Sequence, residues 1–122
     1  TRLALWIEGG SIGHPEGALA RTEGGPLWGA GLSLHEGAGF VDGQVKDTTL
    51  GGYRPMRMGD VPELDIEFVA SDEQPVGLGE PATTVVGPAI GNAIFAATGA
   101  RVRHLPIRPD AVKQAISESK MA

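Results

Sequence analysis

The chain of 122 residues contains no cysteine, which excludes disulfides, thiolate zinc sites, iron–sulfur ligation and cysteine nucleophiles within it. No apolar run approaches the ~20 residues that a membrane-crossing helix needs, so no membrane span is expected. Basic residues are the minority, ten Lys and Arg against fifteen Asp and Glu, and the formal charge is −5. With no basic block, a nucleic-acid partner is not expected. His14, His35 and His104 are widely spaced and form no His-Glu-x-x-His pattern, so structural or surface roles are expected for them and no metal-ligating residue is named. The sequence opens at Thr1 without methionine or a charged-then-apolar leader, so its natural start is expected elsewhere, and Thr1 reads as a trimmed end, not a nucleophile.

Glycine, by contrast, is abundant. Nineteen glycines stand well above the usual share of ~7% and imply many turns or close backbone contacts. Hydrophobic side chains make up 41% of the chain, enough for one compact domain. Arg2 to Ile7, closed by Gly9-Gly10, reads as a strand. Pro15 to Glu36 carries Leu19, Leu27 and Leu34 at helical spacing, while Gly24-Gly25-Pro26 predicts a kink or break near Pro26. Asp42-Gly43 between β-prone pairs predicts a tight hairpin over Phe40–Val45. Leu64 to Val69 alternates apolar and acidic residues, a strand with Asp65 and Glu67 toward water.

Pro88 and Gly99 bracket a helix over residues 88–98, expected to be buried because its small residues permit close approach. Arg101 to Ile107 is expected to return as a strand, and Pro109-Asp110 to open a final amphipathic helix with Ala111, Val112, Ala115 and Ile116 on its apolar side. The fold class is α+β, a mixture of short strands with about three helices and no assigned strand order. Residues 1–122 form a single domain or the C-terminal fragment of a longer subunit.

The most informative stretch is Gly77-Leu78-Gly79-Glu80-Pro81, a carboxylate between a glycine turn and a proline, followed by Gly87-Pro88-Ala89-Ile90-Gly91-Asn92-Ala93-Ile94-Phe95-Ala96-Ala97-Thr98-Gly99. A lone Gly-x-Gly-Glu is usually an ordinary acid in an exposed loop. Here it stands in order with Gly52-Tyr53-Arg54-Pro55-Met56-Arg57-Met58, with Val61-Pro62-Glu63-Leu64-Asp65-Ile66 and with Arg101-Val102-Arg103-His104-Leu105-Pro106-Ile107. Together these resemble the C-terminal end of the molybdenum hydroxylases, the xanthine oxidase and aldehyde oxidase superfamily, and in particular the molybdopterin-binding large subunits of bacterial aldehyde dehydrogenases and isoquinoline oxidoreductases. The resemblance covers about Leu3 to Ile107.

The resemblance implies that Glu80 is the catalytic base beside the molybdenum, and that Gly77, Leu78 and Gly79 let the backbone approach the cofactor. It implies a molybdopterin-type molybdenum cofactor held mostly by sequence outside this chain and anchored through its own dithiolene. It also implies iron–sulfur centres with flavin or cytochrome on partner subunits, and hydroxylation of a small aldehyde or N-heteroaromatic substrate with oxygen from water. The remainder of the molybdenum-binding subunit would be an obligatory partner, and the isolated chain would be inactive. A non-catalytic assembly domain retaining the scaffold is the alternative. Relatives occur in both cytoplasm and periplasm, which leaves the compartment open. Two departures stand out: Ala82-Thr83-Thr84 follows Pro81 where many relatives have further prolines, and His14 replaces an asparagine before Pro15, leaving the cap of the following helix open.

Overall fold

The computed structural model describes residues 1–121. Strand β1 (Arg2–Glu8) leads into helix α1 (Pro15–Leu34), then a hairpin of β2 (Phe40–Val41) and β3 (Gln44–Val45), strand β4 (Glu63–Val69), a single helical turn α2 (Pro81–Thr84), and helices α3 (Val86–Thr98) and α4 (Pro109–Ser119). This is the expected α+β mixture, with α1, α3 and α4 as its three full helices.

β1 and β4 pair in parallel, with Leu3, Leu5 and Ile7 opposite Leu64, Ile66 and Phe68 on one half-buried face. On the other face Arg2 forms an ion pair with Asp65, and Trp6 Nε1 donates to Glu67 at 2.9 Å. The hairpin turns at Asp42 and Gly43, both at positive φ (49° and 76°), the backbone that a two-residue Asp-Gly turn adopts.

α1 begins where the sequence places Pro15, and the unusual His14 caps it: its Nδ1 accepts the Gly17 N–H at 2.8 Å. That nitrogen satisfies one of the orphan donors of the first turn, as an asparagine oxygen would. The expected break at Pro26 does not occur; α1 runs through it. Pro26 is almost fully buried, so tertiary packing offsets the hydrogen bond that proline cannot donate to the Thr22 carbonyl.

The buried face of α1 consists of Thr22, Gly25, Pro26, Gly29, Ala30, Gly31 and Ser33, whereas Leu19, Trp28 and Leu32 are exposed. Small residues, not leucines, face the neighbouring helices. A Cβ at Gly29 would lie 2.6 Å from the Thr83 carbonyl oxygen and 2.9 Å from Val86 Cβ, and one at Gly25 would lie 2.8 Å from Ala82 Cβ. Those two glycines, one turn apart, therefore form a notch that receives α2 and the start of α3.

Three expectations are corrected. The helical path starts at Pro81 and bends at Val85, so Pro88 sits inside the first turn of α3, where its missing N–H has no intrahelical partner to lose. α3 is largely exposed, with Val86 its one buried residue, because α1 covers only its beginning. Arg101–Ile107 forms no strand. That segment lies along the end of α1, where the Ile107 N–H donates to the Ser33 carbonyl at 2.7 Å, and it contains a cis Leu105–Pro106 bond. Gly99 ends α3 in the left-handed conformation, φ 71°, as its position suggested. α4 forms as expected, with Ala111, Val112, Ala115 and Ile116 half-buried.

Candidate functional site

The Gly77–Glu80 turn is fixed from both sides. Upstream, the loop after β1 is tied to the segment after β4: Val76 N–H donates to the Gly9 carbonyl and Ser11 N–H to the Glu73 carbonyl, both at 3.1 Å. Gly10 has φ 70°, and the Gln74 carbonyl fills the space its Cβ would need, so only glycine suits this crossing. Leu78 packs on Gly9, where a Cβ would come within 2.5 Å of Leu78 Cδ2. Gly79 faces Arg21 of α1; a Cβ there would lie 3.2 Å from Arg21 Nε. Downstream, the notch of Gly25 and Gly29 holds Ala82 and Thr83.

Glu80 stands at the junction as the residue before α2, with φ −89° and ψ −31°. Its carbonyl accepts the Thr83 N–H at 2.9 Å. Its side chain is exposed, and among the described residues its carboxylate has no hydrogen bond or ion pair. The N–H groups of Gly77, Leu78 and Gly79 likewise have no acceptor among the described residues. At Gly77 nothing lies within 4 Å of the position a Cβ would take, so the backbone is open to close approach.

Beside the turn, a cleft of about 370 Å³ runs between β1 and α2, lined by Trp6, Ile7 and Glu8 on one wall and Pro81, Ala82 and Val85 on the other. The Ser71 hydroxyl and the Gly10 N–H hold the Glu8 carboxyl below its ordinary range. The arrangement offers an unpartnered carboxylate on a fixed backbone, next to open glycine backbone and an apolar cleft. Chemically, that suits a proton acceptor facing a bulky ligand brought from outside the chain.

The structure brings Gly77, Leu78, Gly79 and Glu80 together on one short turn and leaves the other candidates apart. Tyr53 donates to Glu36 Oε2 at 2.5 Å, a bond that pushes the phenol above its ordinary value. His35 and His104 line separate cavities. Arg21 and the notch of Gly25 and Gly29 were not singled out from the sequence. The spacing of the two glycines, one helical turn apart and opposite Ala82 and Val86 at the same spacing, was the available signal.

No family model matches the chain. A membrane-bound aldehyde dehydrogenase of Gluconacetobacter polyoxogenes, whose name carries pyrroloquinoline quinone, is 53% identical over 108 residues, 88% of this chain and 14% of that protein. Isoquinoline 1-oxidoreductase subunit beta of Brevundimonas diminuta is 31% identical over 89% of this chain and 14% of its own length. An aldehyde oxidoreductase molybdenum-binding subunit of Escherichia coli is 32% identical over 89% of this chain and 16% of its own length. The chain thus spans about one seventh of the curated relatives it matches.

In fold, it superposes on quinoline 2-oxidoreductase from Pseudomonas putida with TM-score 0.73 and 23% identity, covering 94% of this chain and 16% of that one. It superposes on carbon monoxide dehydrogenase from Oligotropha carboxidovorans with TM-score 0.82 and 13% identity, covering 98% of this chain and 16% of that one.

Proposed function

Because this chain belongs to the molybdenum hydroxylase superfamily of xanthine oxidase and aldehyde oxidase, we propose that it is the C-terminal part of a molybdopterin-binding oxidoreductase subunit in which Glu80 is the general base. The observation that carries the reading is the turn itself. Backbone hydrogen bonds and the glycine notch of α1 fix Gly77–Glu80, yet the Glu80 carboxylate has no partner among the described residues. An unpaired carboxylate on a backbone held in place is free to take a proton from a substrate.

The residues present fit a cofactor edge at this turn. Gly77 has open space at its Cα, and the N–H groups of Gly77, Leu78 and Gly79 are without acceptors among the described residues, so they would lie against the group and donate to it. When bound, the molybdenum cofactor supplies the oxygen-transfer and electron-accepting chemistry. Glu80 acts on the proton: with oxygen derived from water added to the electrophilic carbon of an aldehyde or N-heteroaromatic ring, its carboxylate would accept the proton that this oxygen must lose. A positioned base of this kind contributes about 10²–10⁴-fold in rate. Iron–sulfur centres with flavin or cytochrome on partner subunits would take up the electrons.

The name of the relative at 53% identity carries a quinone, whereas those of more distant relatives, such as the Escherichia coli subunit, carry molybdenum. The proposal takes molybdenum, because the names of several other relatives carry it, xanthine dehydrogenase and aldehyde oxidoreductase subunits of Escherichia coli among them, and the turn offers a base where backbone can approach a large group. Native mass spectrometry with metal and quinone analysis of the complex purified through this chain tests it. The proposal expects a larger partner and molybdenum; a complex with quinone and no molybdenum, or a metal-free chain without a partner, overturns it. No helix among the described residues is long and apolar enough to cross a membrane.

A further inference from the structure

On the side of the molecule where α1 ends, a cavity of about 670 Å³ opens between the end of α1, the hairpin, the loop after it and the start of α4. Lys46, Arg54 and Arg108 line it together with His35, and Asp47 is its one acidic lining residue. Three of the ten basic residues of an acidic chain therefore converge on one cavity beside one of the fifteen acids.

Among the described residues, none of the three cations has an ion-pair or side-chain hydrogen-bond partner. The one ion pair among the described residues joins Arg2 to Asp65, and no side-chain hydrogen bond involves Lys46, Arg54 or Arg108. A further carboxylate on the same side, Glu36, is absent from the lining: its Oε2 accepts the Tyr53 hydroxyl at 2.5 Å and its Oε1 rests against Gly31. The start of α4 forms part of the same wall and has no capping side chain.

Three cations against the single carboxylate of Asp47 leave an excess of positive charge, and like charges repel one another, so this arrangement is stabilised by an anion. Two guanidinium groups favour an oxyanion with several equivalent oxygens, which accepts paired N–H donors, over a monovalent halide. We propose that this cavity is a binding site for a phosphate group, formed by Arg54, Arg108 and Lys46. It is separate from the Gly77–Glu80 turn and does not depend on the reaction carried out there.

The test is isothermal titration of inorganic phosphate, at low ionic strength, into the purified complex that contains this chain. The unaltered protein is expected to bind saturably, and Arg54→Gln with Arg108→Gln to weaken binding about tenfold, or about 1.4 kcal/mol for the loss of two exposed charges. Lys113→Gln, an exposed cation of α4 outside the lining, is the control and should leave binding unchanged. If the double variant fails to assemble, Lys46→Gln on the exposed hairpin takes its place, with about a threefold loss expected for one exposed charge. Phenyl phosphate, titrated in parallel, separates the sources: affinity equal to or above that of inorganic phosphate assigns the site to an ester, lower affinity to free phosphate. Absence of saturable binding, or binding that the Arg and Lys substitutions leave unchanged, overturns the proposal.

Discussion

The junction of α1 with α2 and α3 and the sheet of β1 and β4 are built on opposite rules. At the junction, Gly25, Gly29, Ala30, Ala82 and Val86 bring backbones into contact and side chains are small. At the sheet and around the rim, large apolar groups stand in the open: Trp6 is 65% exposed, Trp28 63% and Met58 89%. Two parallel strands alone are also an unusual end state, since parallel sheets are ordinarily covered on both faces. The contrast separates what this segment does for itself from what it leaves to others. It locks the Gly77–Glu80 turn internally, and it presents its large apolar residues to the remainder of the subunit, as proposed for a chain spanning about one seventh of its relatives.

The comparison is broken most strongly from the junction. Gly29→Val places a branched side chain against the Thr83 carbonyl, a backbone atom that cannot move aside, and is expected to destabilise the chain by about 1–3 kcal/mol in urea unfolding. A neutral result would mean that the notch is loose. Thr22→Val acts in the other direction. Thr22 is fully buried with its hydroxyl unpartnered, so removing that hydroxyl at constant shape should stabilise by about 1 kcal/mol, read as a raised urea midpoint.

On the open side, Trp6→Ser should change the stability of the chain alone by no more than about 0.5 kcal/mol, as for other exposed positions. If the rest of the subunit covers the indole as proposed, the same change in the assembled subunit should cost about 1.5 kcal/mol or more. Equal small effects in both would contradict the assignment of this surface to the rest of the subunit. The smallest effect concerns Tyr53, the one tyrosine of the chain, whose absorbance titration is therefore unambiguous. It should ionise above the ordinary phenol value, and Glu36→Gln should lower that midpoint. Because the folded-state value is raised, the stability contributed by this bond is fully present below the ordinary tyrosine range, near pH 10, and is lost as pH rises through the folded value.

Much of this architecture was legible in the sequence because local chemistry dictates it. The Asp42-Gly43 turn needs positive φ at both positions, Gly99 stops α3 by adopting it, and the alternation of Leu64 to Val69 leaves one register for β4. The corrections share one cause. Leu19, Leu27 and Leu34 stand at the spacing of a helical face, and the small residues over 88–98 point to a buried helix. In the structure the small residues of α1 make the contact, and much of the apolar surface stays open. Periodicity reports which side chains avoid water in the complete protein, not which of them this segment buries by itself. The Arg101–Ile107 segment failed for a related reason: its one long-range backbone bond, from Ile107 to Ser33, goes to a helix end and not to a strand.

At the candidate site, the turn and its carboxylate were legible as a motif, but what holds them was not, because Arg21, Gly25 and Gly29 lie some fifty residues upstream and carry no chemistry of their own.

The central claim, that the protein fixes Glu80 in order to move a proton, is tested most directly by single-turnover kinetics of Glu80→Gln in the assembled complex, with molybdenum content measured on the same sample. The account predicts that the rate falls by about 10²–10⁴-fold while molybdenum content and assembly are unchanged. An unchanged rate at full molybdenum content would contradict it and leave the chain as an assembly domain.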